Sequence, residues 1–333
     1  MPIRPGGQTQ AGGLVLIAKT KYFGVILVVL FMATASAQPT ITNASDSIGG
    51  VVDSLFVRAS SGELKFRDLV EPSRKALIDM GASAVPRMLT KLKTRDAREM
   101  LEVSEIFKGI GEPAVDSLCA YVNVADPFIR RLAIRSLDEI KSARAVTPLI
   151  NVARHEDFRT RAGVMSALGN IGRPEAAEVV MAALVDSNEL VATAAAAACG
   201  KIKTGIRPET LIRAISHPYY GVRYTAAKSL GQLGAPVIPQ LESHLLQFPE
   251  NLDRAFIMLA LGETKSDRAL KPLKSGLASE QWLIRASAGE ALGNIDSKKS
   301  RKALNSALKI ESHPLVKFQL RSALEKLKSS HGS

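Results

Sequence analysis

The sequence contains few aromatic residues, few cysteines and few histidines, and each shortage disfavours a class of function. Aromatic residues make up 5% of the 333 residues, with a single tryptophan, which disfavours a large cofactor pocket lined by aromatic rings. Two cysteines are too few for a disulfide framework. The sequence also lacks a glycine-rich phosphate loop, a paired-cysteine metal site and a nucleophile elbow. We therefore expect no catalytic residue, cofactor or metal.

Small aliphatic residues are abundant instead, and they favour stacked helices. Hydrophobic residues make up 46% of the chain, many of them alanine and leucine. No stretch alternates between apolar and polar residues for long enough to predict a strand. Apolar residues recur at steps of three and four in segments such as 159–171 and 174–185, which predicts pairs of amphipathic helices.

One phrase recurs along the chain and sets its period. ALGNIG at 167–172 returns as SLGQLG at 229–234, ALGETK at 260–265 and ALGNID at 291–296. The residues that close the phrase, which we call the anchors, are Gly81, Gly111, Lys141, Gly172, Lys203, Gly234, Lys265, Asp296 and Lys328. They are 30 to 32 residues apart, and a fixed period of this length indicates a solenoid in which each unit packs on its neighbours.

The anchors are expected to end the first helix of each unit. Glycine can adopt the left-handed conformation that closes a helix, and a lysine there places a cation at the negative end of the helix dipole. Cys119 and Cys199 lie more than two units apart, on the order of 20 Å at about 10 Å per layer, which is too far for a disulfide. We expect both to be small buried hydrophobic residues.

The repeated unit resembles a known family. The pattern D-x-x-x-R-x-x-A-x-x-A-L-G-x-I-G-x-x-x-A, matched by residues 157–176, is similar to the short HEAT-like repeat of the phycobilisome lyase type. The resemblance covers about residues 63–329 and implies an all-α, right-handed α-solenoid (superhelix) of about nine helix pairs. It specifies the fold strongly and the function weakly.

The resemblance also implies which residues tie successive layers together. In that family an arginine of the first helix reaches acidic or carbonyl groups of the neighbouring unit. The matching arginines, eleven residues before their anchors, are Arg130, Arg161, Arg223, Arg254 and Arg285. Val70, Met100 and Ala192 depart from the pattern, so the resemblance does not supply a pairing residue at that position in those three units.

The N-terminus is typical of an export signal. Lys19 and Lys21 precede the apolar run at 23–33, and small residues at 35–37 predict cleavage after Ala37. A membrane-spanning helix is the disfavoured alternative, because it would place both lysines inside the bilayer. We therefore divide the chain into a signal peptide at 1–37, a flexible mature N-terminus at 38–62 that contains a short capping helix at about 51–59, and the repeat solenoid at 63–329. We expect an exported protein, periplasmic or extracellular, without a transmembrane segment after cleavage.

The charge of the mature chain is concentrated at its C-terminal end. The full chain carries a net charge of +12, of which residues 266–333 supply +7 from 13 basic and six acidic residues. The second helices of such solenoids line the concave side, so the basic residues there are candidate partner-binding residues: Arg213, Lys271, Lys274, Lys298, Lys299, Arg301 and Lys302. A basic groove suits an acidic protein partner or an anionic envelope surface, and export disfavours nucleic acid.

Two functions stay open at this point. The first is an exported, non-catalytic repeat scaffold that binds protein through its concave helix face. The alternative is a metal-dependent enzyme related to the HEAT-repeat deoxyhypusine hydroxylases, or a bilin lyase-like protein. His155 and Glu156 form the one His-Glu pair in the sequence, whereas a di-iron site of that kind needs several pairs on successive repeats. A merely structural role in the turn between units is the favoured interpretation of His155.

Overall fold

The computed structural model describes residues 44–247 and 252–329. Within these ranges the chain forms α-helices and short 3-10 helices, and no strand. The α-helices are α1 Ala44–Ser60, α2 Val70–Asp79, α3 Val85–Thr90, α4 Ala97–Ile110, α5 Val115–Cys119, α6 Pro127–Ile140, α7 Val146–Asn151, α8 Phe158–Ile171, α9 Ala177–Ala182, α10 Glu189–Ile202, α11 Pro208–Ala214, α12 Tyr220–Gln232, α13 Ile238–Gln247, α14 Leu252–Glu263, α15 Leu270–Gly276, α16 Trp282–Gly293, α17 Lys298–Ile310 and α18 Pro314–Ser329. The fold is therefore an all-α repeat fold, as the sequence predicts.

The helices alternate between long first helices and mostly shorter second helices. The first helices are α2 and the even-numbered helices that follow it, and from α4 to α18 each packs on the next along the chain. The second helices are the odd-numbered ones from α3 to α17, and most of them pack against the first helices around them. Each first helix with its second helix forms one layer, and the described residues contain eight complete layers, with α1 at one end and α18 at the other.

Short polar side chains begin several of the first helices. Asp96, Asp126, Asp157 and Asn188 lie at the N-caps of α4, α6, α8 and α10, and each side chain accepts hydrogen bonds from backbone N–H groups of the first turn. Their spacing of 30, 31 and 31 residues follows the period of the anchors. The same repeat therefore specifies where these helices begin and where they end.

The anchors end the first helices through left-handed backbone. All of the anchors from Gly81 to Lys265 have positive φ, including 58° at Lys141 and 72° at Gly172. The expectation is wrong for the last two anchors. Asp296 does not have positive φ, and α16 has already ended at Gly293, with Asn294 as its C-cap. Lys328 lies inside α18.

Glycine and alanine allow the first helices to approach closely. A Cβ added at Gly169 would lie 2.7 Å from Cα of Ala198 in the next layer, and one added at Gly262 would lie 2.5 Å from Cα of Ala291.

The two cysteines are free thiols. Cys199 is buried and Cys119 is half-buried. Burial raises the pKa of Cys119 to about 11 and that of Cys199 to about 12, so both thiols are protonated at neutral pH.

The N-terminal end of the described chain is a long helix. The sequence places a capping helix at 51–59, and the structure has α1 at Ala44–Ser60, with Val52, Phe56 and Ala59 buried. None of the described helices is both long and apolar enough to cross a bilayer. The predicted signal peptide at 1–37 lies outside the described residues.

Candidate partner-binding surfaces

Three of the predicted inter-layer arginines make one repeated contact. Arg161 donates from Nε and Nη2 to the Asp186 carboxylate in the next layer, at 2.8 and 2.9 Å, and from Nη1 to the carbonyls of His155 and Glu156. Arg285 binds Glu311 at 2.8 and 3.1 Å, and the carbonyls of the two residues at 279–280, in the same way. Each guanidinium therefore joins the turn that precedes its own helix to a carboxylate one layer further along.

Arg130 makes a buried version of this contact. It is 4% exposed, donates from Nε to the Thr160 hydroxyl at 2.9 Å, and lies 3.5 Å from the Asp157 carboxylate. Arg131 reaches the same carboxylate at 3.2 Å. Two arginines of α6 therefore meet the carboxylate that caps α8.

The carboxylates in these contacts are held in their charged form. Hydrogen bonding from Arg285 is the largest cause that lowers the pKa of Glu311 to about 2, against the opposing effect of burial. Burial raises the pKa of Asp157, but hydrogen bonds led by the Thr160 hydroxyl outweigh it and lower the pKa to about 2. The hydrogen bond from Arg161 lowers the pKa of Asp186. These ion pairs therefore persist at neutral pH.

Arg223 reaches the next layer differently. Its guanidinium lies 5.3 Å from the ring of Phe256 in α14 and 6.0 Å from that of Tyr220, and its Nε has no hydrogen-bond partner among the described residues. The contact is a cation–π contact instead of an ion pair. Arg254 is half-buried near the start of α14.

The first two departures from the arginine pattern have substitutes that sequence analysis missed. The unit with Val70 at the arginine position is tied to the next one by Arg74, which donates from Nε and Nη2 to the Glu102 carboxylate, both at 2.6 Å. In the unit of Met100, Arg95 binds Asp126 at 2.6 Å. These two units are therefore paired with the next one, because an arginine at another position of the unit reaches the same neighbour.

A second polar connection between layers lies in the repeated phrase itself. Asn170, the fourth residue of ALGNI, donates to Asp138 in the preceding layer and accepts from Lys201 in the following one, both at 2.6 Å. Asn294 occupies the same place in the last copy of the phrase and accepts from Lys326 at 2.7 Å. The recurrence of asparagine in ALGNI is the sequence signal that would have identified it.

The predicted basic residues lie on second helices. Arg213 is in α11, Lys271 and Lys274 are in α15, and the others are in α17. All are exposed except Arg301, which is half-buried and donates to the Leu327 carbonyl of α18 at 2.8 Å. We call the remaining five lysines the lysine surface: Lys271, Lys274, Lys298, Lys299 and Lys302. None of them forms a hydrogen bond or ion pair with the described part of the chain.

Two of the histidines, His155 and His217, bond to the backbone of turns between layers. Nδ1 of His155 accepts from the backbone N–H of Asp157 at 3.0 Å, and Nδ1 of His217 accepts from that of Tyr219 at 3.2 Å. Across residues 44–247 and 252–329, no group of three or more His, Cys, Asp or Glu side chains is arranged to hold a metal ion. In the described residues His155 therefore has a structural partner, and no ligand set surrounds it.

Comparisons with known families agree with the helical repeat. A HEAT repeat model matches residues 115–200 and 238–325, together just over half of the chain. A model of the PBS lyase HEAT-like repeat matches residues 222–247. No curated protein sequence matches the chain.

The solved structures that are similar to the chain at low identity include the following three. An engineered protein is 17% identical over 86% of this chain and 92% of its own, with a TM-score of 0.41. Human deoxyhypusine hydroxylase in complex with glycerol is 19% identical over 78% of this chain and 99% of its own, with a TM-score of 0.34. The CpcE–CpcF complex of phycocyanin lyase from Nostoc sp. is 18% identical over 88% of this chain and 97% of its own, with a TM-score of 0.36.

Proposed function

The chain belongs to the HEAT repeat family, and from that premise we propose that it is an exported, non-catalytic scaffold that binds an acidic protein partner through its second helices. The lysine surface on α15 and α17 is the observation that carries the proposal. Its five ammonium groups are exposed and have no carboxylate partner within the described residues. A partner that supplies carboxylates would reduce their mutual repulsion and would be steered to this face at long range.

Several features support a scaffold in preference to an enzyme. The histidine with a neighbouring glutamate holds a backbone turn, and both thiols are buried or half-buried with raised pKa values, which disfavours them as nucleophiles. Stacked layers present a long row of second helices, and repeat proteins use such extended surfaces for binding.

A site-specific crosslinking experiment tests the proposal. A photo-reactive amino acid replaces Ser306, an exposed residue of α17 next to the lysine surface, and the mature protein is irradiated in its own compartment. We expect capture of an acidic protein, and loss of that capture when Lys271, Lys274, Lys299 and Lys302 become Glu. Unchanged capture by that variant would refute binding through the lysine surface.

A matched variant controls for net charge. Charge reversal of four exposed cations outside the lysine surface changes the total charge equally: Arg67, Lys93, Arg154 and Arg321. This variant is expected to keep the crosslink. If purified protein instead sediments with anionic vesicles and captures no protein, an envelope surface replaces the acidic protein as the partner.

Export is proposed from residues 1–37 and has its own test. Mass spectrometry of the protein isolated from cells is expected to find an N-terminus at Gln38, because Ala37 follows the apolar run at the position of signal cleavage. An N-terminus upstream of residue 23 on the isolated protein would contradict the proposal.

A further inference from the structure

A narrow slot opens between two neighbouring first helices, away from the lysine surface. It lies between α6 and α8, has a volume of about 210 Å³, and contains Arg131, Arg135 and Arg159 in its lining together with Ile134 and Gly163. Most of the exposed area of its lining is apolar, so the slot is a largely apolar depression with three arginines in its lining. Ile134 is 2% exposed and belongs to the core.

Gly163 leaves space in this slot, although the packing of α6 against α8 does not require a glycine there. A Cβ at Gly163 would meet the Cγ2 of Ile134 at 3.5 Å, an ordinary contact, whereas one at Gly169 of the same helix would collide with Ala198. Glycine inside a helix costs about 0.5–1 kcal/mol relative to alanine. The backbone is helical here, so neither sterics nor φ accounts for the glycine, and the space that it leaves is the slot.

The positive charges in the lining of the slot are not all paired with carboxylates. Arg131 is paired with Asp157 at 3.2 Å, but Arg135 and Arg159 form no ion pair within the described residues, and Arg159 lies over the Phe158 ring at 4.7 Å. The acidic residue of the lining is Asp138, whose carboxylate accepts hydrogen bonds from Ser166 and Asn170. Two exposed guanidinium groups are therefore available to an added anion.

We propose that this slot binds an acidic peptide segment that carries one apolar side chain between carboxylates. The apolar side chain packs against Ile134 and Gly163, where it is removed from water. Carboxylates on either side bind the guanidinium groups of Arg135 and Arg159, whose planar forks match carboxylate geometry. The site uses first helices and no residue of the lysine surface, so it is separate from the binding face of the proposed function.

A synthetic peptide with one leucine flanked on both sides by glutamates tests the site by fluorescence anisotropy. We expect saturable binding to the full mature chain, weakened about tenfold by the double substitution Arg135→Gln and Arg159→Gln, which is the loss of about 1.4 kcal/mol. Replacing the leucine of the peptide by alanine is expected to weaken binding to a similar extent. Equal binding of the leucine and alanine peptides would overturn the proposal, because the apolar slot would then play no part.

Substitution of Gly163 separates the slot from general electrostatic attraction. Gly163→Leu fills the slot and keeps every arginine, and it is expected to abolish the leucine-dependent part of the affinity. Gly163→Ala is expected to fold at least as well as the native chain and to give a smaller loss. Native affinity in the Leu variant would overturn the proposal.

Two further measurements define the occupant. The variant with Glu at Lys271, Lys274, Lys299 and Lys302 is expected to bind the peptide as the native chain does, which distinguishes failure of the slot from failure of the lysine surface. Arg67→Gln with Arg321→Gln, an equal loss of charge elsewhere, is expected to leave binding unchanged. Single-stranded RNA that bound more tightly than the peptide would overturn the assignment to an acidic peptide.

Discussion

At the scale of single residues, lysine occupies left-handed backbone at three helix ends where glycine is the usual residue. Lys141 has φ 58° and ψ 31°, a conformation that costs a residue with a Cβ about 1 kcal/mol. We therefore expect Lys141→Gly to be about 1 kcal/mol more stable than Lys141→Ala, since both variants lose the same cation and differ in this conformational cost. Urea unfolding of the two variants measures the difference.

The helical Lys309 of α17 is the matched control for this comparison. At that position, where φ is not positive, the order should reverse, with the glycine variant less stable by about 0.5–1 kcal/mol. If the alanine variant were the more stable one at Lys141 as well, the positive φ at Lys141 would carry no cost.

The pair of Glu311 with Arg285 predicts a pH dependence of stability. The pKa of Glu311 falls from its ordinary value of 4.5 to about 2 on folding, so its contribution is fully present above pH 4.5 and is lost as the pH falls toward 2. Glu311→Gln is therefore expected to unfold at lower urea than the native chain at pH 7, and the difference should shrink between pH 5 and pH 2. A difference that is equal at pH 7 and pH 2.5 would mean that the charge of Glu311 does not stabilise the fold.

At the scale of elements, two glycines of α8 should respond oppositely to one added methyl group. Gly169→Ala places a Cβ 2.7 Å from the Ala198 backbone, so α8 and α10 must separate, and we expect a loss of about 2–3 kcal/mol. Gly163→Ala meets no such obstacle and is expected to gain up to about 1 kcal/mol. Thermal unfolding of both variants checks the signs, and a gain at both positions would contradict the close approach of these helices.

The helices could be predicted from the sequence wherever the signal was local. The anchors from Gly81 to Lys265 mark helix ends because a residue with positive φ stops a helix within its own turn. The prediction that Lys328 ends a helix is wrong, because α18 continues past it to Ser329. The inter-layer pairs are harder to predict from the sequence. Arg74 and Arg95 reach partners 28 and 31 residues away, and the neighbouring units have no arginine at the equivalent positions. The slot at Gly163 depends on the space between two helices, and no single segment encodes that space.

At the scale of the whole molecule, each layer contacts its neighbours, so stability should be distributed layer by layer. The arginine contacts form a chain of local connections: Arg74 to Glu102, Arg95 to Asp126, Arg161 to Asp186 and Arg285 to Glu311. Each connection spans one interface. A defect at one interface should therefore release the layers at one end of the array and leave the distant ones folded.

Substitutions in the contact between Arg74 and Glu102 test directly whether stability is distributed layer by layer. Glu102 is 5% exposed, so Arg74→Ala leaves a buried carboxylate without its cation, at a cost of about 3–5 kcal/mol. We expect amide hydrogen exchange to accelerate in α1 to α3 and to stay unchanged in α12 to α18. The double variant Arg74→Met with Glu102→Leu should restore protection, because it removes the charge along with its partner.

Lys75→Ala supplies the control for this experiment, since it removes a neighbouring lysine whose pair with Asp79 is exposed and should change exchange little. If Arg74→Ala accelerated exchange equally from α1 to α18, the array would unfold as one cooperative unit. Nearest-neighbour coupling would then be wrong for this chain. Faster exchange confined to the N-terminal helices would instead mean that the C-terminal layers, which carry the lysine surface, keep their structure when the first interface is lost.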